Sequence, residues 1–227
     1  MKLIKQLILT SATLALAASA HANANANATG APAPAARASA SASAETPDAL
    51  VKRISLDVIE SAKADKEIQA GNQKRVMDLV ETKILPYVDF NRMTQLAAGR
   101  HWRSATPEQQ KALAREFRTL LIFTYSGALS QIKNQTVEFR PMNAQPADQE
   151  VEVRSQVVQP RGEPIMLNYR LAKTAGGWKI FDINVLGAWL VETYKGNFNA
   201  GITKGGVDGL IKSMAERNAA LAAKAGK

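Results

Sequence analysis

Ile165, Leu167, Tyr169 and Leu171 alternate with Met166, Asn168, Arg170 and Ala172, the period of a strand with one face buried. Thr174-Ala175-Gly176-Gly177 follows as a turn, since glycine reaches positive φ without a Cβ clash. Trp178 to Val185 reads as the returning strand of a hairpin. Upstream, Val137 and Phe139 alternate with Glu138 and Arg140, and Val151, Val153, Ser155 and Val157 alternate with Glu152, Arg154 and Gln156. Pro160-Arg161-Gly162 turns the chain into Ile165. Four strands in a row, joined by short turns, predict a twisted antiparallel sheet with one apolar face.

Helical spacing flanks the strands on both sides. Thr46-Pro47-Asp48 has the form of an N-cap, a proline at the first helical position and an acidic first turn, ahead of Leu50, Val51, Ile54, Val58 and Ile59. Ala64 to Gly71 is polar, and Asn72 caps a second helix that carries Val76, Leu79, Val80 and Ile84 and stops at Pro86. Asp89 opens a short helix ending near Gly99. Thr106-Pro107-Glu108-Gln109 is a capping box for a long helix whose broad face runs from Leu113 through Phe117, Leu120, Leu121, Thr124 and Ala128 to Ile132. After Gly187, Leu190, Tyr194 and Phe198 return to helical spacing, and Gly205-Gly206 separates them from Val207, Leu210, Ile211 and Met214. Helices, then strands, then helices predict an α+β domain in which the helices cover the sheet's apolar face.

The amino terminus places this domain. Met1 to Ala20 combines Lys2 and Lys5, an apolar run from Leu7 to Ala18 and the small-residue site Ala18-Ser19-Ala20, the form of a cleaved secretory signal. Cleavage after Ala22 fits nearly as well, and the run is too short for a membrane span. Residues 21–45 are Ala, Asn, Ser and Pro repeats that bury too little to offset chain entropy, so a disordered linker is expected. The domain then spans 46–218, and the alanine- and lysine-rich stretch 219–227 reads as a frayed tail. The net charge of +9 allows contact with nucleic acid, anionic lipid or an acidic partner; export removes the first. Without cysteine, disulfides, thiolate metal sites and a cysteine nucleophile are excluded.

Reactive chemistry has few parts here. His101 is the one histidine within the domain, so neither a serine triad nor a histidine metal cluster can be assembled. Asp182 with Tyr169 invites comparison with isomerases of cone-shaped α+β folds, but a carboxylate bonded to backbone or to an arginine is the favoured reading. No catalytic residue is assigned.

Tyr169-Arg170, Gly177-Trp178-Lys179, Asp182, Gly187, Tyr194 and Phe198 resemble the signature region of the toluene-tolerance family. Leu85-Pro86-Tyr87-Val88-Asp89-Phe90, Trp102 with Ser104-Ala105-Thr106-Pro107, Phe117-Arg118 with Tyr125, and Gly206, Asp208, Gly209 and Leu210 match its other blocks in order. The resemblance implies a cone-shaped, NTF2-like fold whose sheet and helices enclose an elongated apolar cavity. It further implies a monomeric periplasmic phospholipid carrier, not an enzyme, with no cofactor besides its cargo. Such carriers move single phospholipids between the outer and inner membranes and are associated with outer-membrane lipid asymmetry. The partners implied are an outer-membrane MlaA–porin complex and an inner-membrane ABC transporter bearing an MCE domain. On this reading Val137, Phe139, Val151, Val153, Val157, Leu167, Tyr169, Leu171, Ile180 and Ile183 line the chain tunnel, with Leu120, Leu121 and Tyr125 as its helical wall. Ile180 and Ile183 share a face only if a bulge separates them. Trp189 departs from the family, which often has a small hydroxyl residue there, and the linker has no family role. Two other readings stay open: a periplasmic isomerase or hydrolase of an apolar molecule, and a structural adaptor with a filled core.

Overall fold

A computed structural model describes residues 45–225 apart from 143 and 146. The expected signal at 1–20 and all of the expected linker except Glu45 lie outside the described residues.

The chain opens with α1 (Pro47–Ala64), α2 (Lys66–Gln69), α3 (Gln73–Lys83) and α4 (Phe90–Ala98). A single 3-10 turn, Leu85–Tyr87, follows α3 where Pro86 stops it. The caps anticipated at Asn72 and Asp89 form, each accepting from a backbone N–H three residues on. Thr46 makes no side-chain cap bond, so α1 starts on Pro47 alone. Within the polar stretch 64–71, Asp65 caps α2 through the N–H groups of Glu67 and Ile68, and this turn buries Ile68. The capping box at Thr106 and Gln109 opens α5 (Pro107–Tyr125). This helix is shorter than its apolar face suggests. At Ser126-Gly127, residues of weak helix propensity, it tightens into a 3-10 segment that runs to Gln131.

The sheet has five strands, in the order β1-β2-β3-β4-β5, all antiparallel: β1 Thr136–Phe139, β2 Glu150–Val158, β3 Ile165–Thr174, β4 Gly177–Val185 and β5 Ala188–Trp189. The expectation of four strands misses β5, which is only two residues long. Leu186 and Gly187 both take positive φ, the two-residue turn that folds a strand straight back, and Ala188 and Trp189 pair with β4 before the helix begins.

One irregularity sets the site. Arg170 pairs with Asp182, but the next residue, Leu171, pairs with Ile180, leaving Phe181 as an extra residue in β4. This bulge brings Ile180 and Ile183 onto one face, opposite Leu171 and Tyr169 respectively. Beyond the bulge β5 no longer covers β4. The Leu85–Asp89 segment does so instead: Val88 bridges to Ile180, and the Asp89 N–H donates to the Ile180 carbonyl at 2.8 Å.

The last helix, α6 (Leu190–Ala225), is broken at Gly206, whose φ of 70° and ψ of −176° suit glycine alone. Its two halves close up at Gly201, where a Cβ would stand 2.9 Å from Leu210 Cδ1. It is helical to Ala225, and alanine favours helix there. Two clusters of buried side chains result. One joins α4, α5 and α6; the other places α1, α2 and α3 against the apolar face of the sheet.

Candidate functional site

The second cluster is not filled. Between the sheet and the helical layer lies a cavity of about 480 Å³, within the range of about 300–1,000 Å³ common for ligand sites. From the sheet it is lined by Val137, Val157, Ile165, Leu167, Tyr169, Ile180, Ile183 and Val185. Val51, Ile54, Ser55, Val58 and Ile59 of α1 face it from the other side. Val80, Ile84, Leu85, Val88, Phe90 and Met93 close one flank, and Leu121, Ile122, Tyr125 and the 3-10 residues Ser126, Ala128 and Leu129 another. None of the described residues lining it is charged. Such walls offer dispersion contacts and no counter-charge, so the space suits hydrocarbon and disfavours a buried ion.

The amide side chains of the lining gather at one end. Register shows that Thr136 opens β1 opposite Val158 at the close of β2, Ile165 opens β3 opposite Val157, and Val185 closes β4 opposite Leu167. These strand ends share one edge of the cavity, and there the lining residues are Gln131, Gln135 and Gln159, with Gln131 exposed. This is the mouth.

Eight of the thirteen residues expected at the tunnel line the cavity: Leu121, Tyr125, Val137, Val157, Leu167, Tyr169, Ile180 and Ile183. The other five lie elsewhere. Val153 and Leu171, 1% and 0% exposed, share the correct face but are packed beneath the helices at the far end of the sheet. Phe139 and Val151 are half-buried at that same end. Leu120 points the other way, into the cluster of α4, α5 and α6. The α1 wall was not anticipated. Its apolar spacing is plain in the sequence, but spacing does not say which helix lies across the sheet.

Tyr169 is buried, and burial pushes its phenol above the usual range, against the opposing pull of the nearby Ser55 and Ser155 hydroxyls. Burial likewise raises the Tyr125 phenol, and the neighbouring Tyr194 phenol adds to the shift. Asp182 stands on the opposite face from Tyr169 and is not among the residues lining the cavity. Its Oδ1 accepts from the N–H groups of Ile183 at 2.9 Å and Val191 at 3.0 Å, and Arg170 Nη1 lies 3.3 Å from Oδ2. The Arg170 guanidinium also stacks on Trp189, 3.8 Å from the ring centre. Burial pushes the Asp182 carboxyl above the carboxylate range, while the Val191 and Ile183 N–H groups and Arg170 pull it down. This aspartate ties β4 to the start of α6. The aspartate–tyrosine pair of an isomerase is therefore not assembled. His101 bonds Asn199 at 2.9 Å, away from the cavity lining. Among the described residues no group of three or more His, Asp or Glu is placed to hold a metal, and no helix is long and apolar enough to cross a membrane.

One sheet and a helical layer enclose an uncharged chamber with room for an apolar ligand. The chain belongs to the MlaC protein family, whose model matches residues 52–216, and the resemblance to toluene-tolerance proteins is thereby borne out. The intermembrane phospholipid transport system binding protein MlaC of Haemophilus influenzae is 27% identical over 169 residues, covering 69% of this chain and 79% of that protein. The toluene tolerance protein ttg2D of Pseudomonas putida is 25% identical over 165 residues, covering 72% and 76%. Among solved structures, the phospholipid-binding protein of Ralstonia solanacearum, in complex with a phospholipid, superposes with a TM-score of 0.73 at 48% identity, covering 77% of this chain and 98% of that one.

Proposed function

We propose that this protein is a periplasmic phospholipid carrier, moving single phospholipids between the outer and inner membranes and so maintaining outer-membrane lipid asymmetry. The observation that carries the reading is the uncharged cavity in a chain 48% identical to a protein that holds a phospholipid. Acyl chains leave water for such a space with a gain of about 0.8 kcal/mol per buried CH₂, so no reactive group is needed. The phosphate head stays at the mouth, among Gln131, Gln135 and Gln159, where water and amide groups solvate it. The carrier acts as a monomer with a cone-shaped, NTF2-like sheet around its cargo. It receives and delivers lipid at an outer-membrane MlaA–porin complex and an inner-membrane ABC transporter with an MCE domain. It is not an enzyme and uses no cofactor.

Native mass spectrometry of protein purified from a bacterial periplasm without detergent tests this directly. The expected result is a stoichiometric mass increment matching phospholipid. Leu167→Asp, which sets a carboxylate in the cavity wall, abolishes that increment while leaving a folded protein. A clean lipid-free mass for the unaltered chain that persists after added lipid overturns the reading.

A further inference from the structure

The turn between β4 and β5 is built against its own chemistry. Leu186 is the one non-glycine residue of positive φ among those described, at 53°, in the first position of a two-residue turn that favours asparagine, aspartate or glycine. A leucine gains nothing there from burial, because 71% of it is exposed, the most of any large apolar side chain described. Its backbone is fixed in place: the Leu186 N–H donates to the Met166 carbonyl at 3.1 Å. The fold thus holds an apolar side chain out in solvent at a conformational cost.

Its position gives that cost a purpose. Leu186 follows Val185 and faces the start of β3, so it stands at the strand ends that frame the mouth. Two further loops share this rim, residues 132–135 before β1 and 159–164 between β2 and β3. They add exposed Pro160 and Pro164, the cations Lys133 and Arg161, and one acid, Glu163. Lys63 reaches the same rim from the end of α1, its Nζ donating to the Gln135 carbonyl at 2.9 Å. Tyr125, 38% exposed, completes the rim from α5. An apolar knob beside a ring with surplus positive charge is complementary to the phosphate-bearing surface of an anionic bilayer.

We propose that this rim is a membrane-docking surface, with Leu186 entering the head-group region of an anionic bilayer while Lys133, Arg161 and Lys63 meet its phosphates, so that the cavity mouth faces the lipid it exchanges. The proposal rests on the carrier reading. It assigns direct contact with lipid to residues outside the cavity lining.

Co-sedimentation with vesicles of mixed phosphatidylethanolamine and phosphatidylglycerol tests it, with phosphatidylcholine vesicles as the neutral control and lipid content by native mass spectrometry in parallel. The unaltered chain binds the anionic vesicles, and less so at high salt. Leu186→Asn weakens binding roughly tenfold through lost apolar burial, yet raises the melting midpoint because asparagine suits the left-handed backbone. Lys133→Glu and Arg161→Glu each weaken it by at least about fivefold. All three variants still carry phospholipid, since none of these residues lines the cavity. Absence of vesicle binding by a lipid-loaded protein overturns the docking surface while the carrier reading stands, and assigns the rim to a protein receptor. Vesicle binding unchanged by all three substitutions also overturns it, as does a lowered midpoint in Leu186→Asn, which makes the leucine structural. A chain that never carries lipid defeats the carrier reading through the mass measurement, whatever the vesicles show.

Discussion

The two apolar clusters of this domain are made from different residues and end differently. Between α4, α5 and α6 the space is closed by aromatic rings: Phe117 meets Tyr194 and Phe198 edge-on at centroid distances of 4.8 and 4.9 Å. Phe117 is 0% exposed and Phe198 1%. Between α1 and the sheet the walls are mainly valine, isoleucine and leucine, and a cavity of about 480 Å³ remains. Both clusters exclude water from most of their side chains, yet one is solid and the other hollow. β-branched residues on a rigid sheet cannot reach across a gap, and a helix propped away from that sheet does not collapse onto it. Burial alone therefore does not report filling.

The sharpest way to break this contrast is to hollow the solid side. Phe117→Ala removes a ring from a packed site with no slack and is expected to cost about 3–5 kcal/mol. Chemical denaturation measures it. Below its lowered midpoint the variant keeps its phospholipid, because Phe117 is not among the residues lining the cavity. Loss of lipid from a still-folded variant would show that the two clusters are not separable.

A smaller cost is expected where the two sides are joined. Asp182→Ala strands the buried Val191 N–H that now shares Oδ1 with the part-buried Ile183 N–H, worth about 1–3 kcal/mol if left without a partner. Asp182→Asn keeps an acceptor oxygen and loses less. Urea denaturation of the pair orders them, and equal losses would mean that charge rather than hydrogen bonding ties β4 to α6.

On the hollow side, adding volume replaces removing it. Ile183→Trp fills part of the cavity, so the lipid-free protein keeps its melting midpoint while phospholipid is displaced. Tryptophan in the solid cluster, Ala97→Trp, overpacks a site 1% exposed and is expected to cost at least about 1–3 kcal/mol. Calorimetry of both lipid-free proteins, with lipid extraction, checks that one midpoint holds while the other falls. Equal destabilisation would mean that the cavity wall has no slack.

Much of the frame was legible in the chain. The two-residue period placed Val137, Val157, Leu167 and Tyr169 on the cavity face because each strand has one covered side. The caps at Asn72, Asp89 and Thr106 located three helix starts through local hydrogen bonding. What was not legible depends on three-dimensional placement. Val153 and Leu171 carry the same period as Leu167 but sit where helices reach the sheet, so the pattern cannot separate packed from lining positions. A bulge of one residue at Phe181 decides whether Ile180 and Ile183 agree, and it leaves no mark in hydropathy. β5 is too short to show a period, and the α1 wall carries an ordinary amphipathic stripe.

The smallest effect concerns what props the hollow side open. Asp65 caps α2, the turn that reverses the chain between α1 and α3 and buries Ile68 in the sheet-side cluster. Its Oδ1 accepts from Glu67 and Ile68, and Oδ2 lies 2.6 Å from Arg75 Nη2. The Ile68 N–H bond first, then Arg75, holds its carboxyl below the ordinary value of 3.8. A folded value below the unfolded one means that the ionised form favours the folded state. The contribution is fully present above 3.8 and is lost as pH falls through the lowered folded value. Asp65→Asn therefore narrows its stability gap from the unaltered protein on the acid limb only, and above that window the gap stays constant. Melting midpoints measured from neutral pH into the acid limb test this. A gap independent of pH would show that the cap acts through its hydrogen bonds without its charge. If acid also releases phospholipid earlier from the unaltered protein than it melts the aromatic cluster, the wall around the cavity is the first part to yield, and its openness depends on this turn.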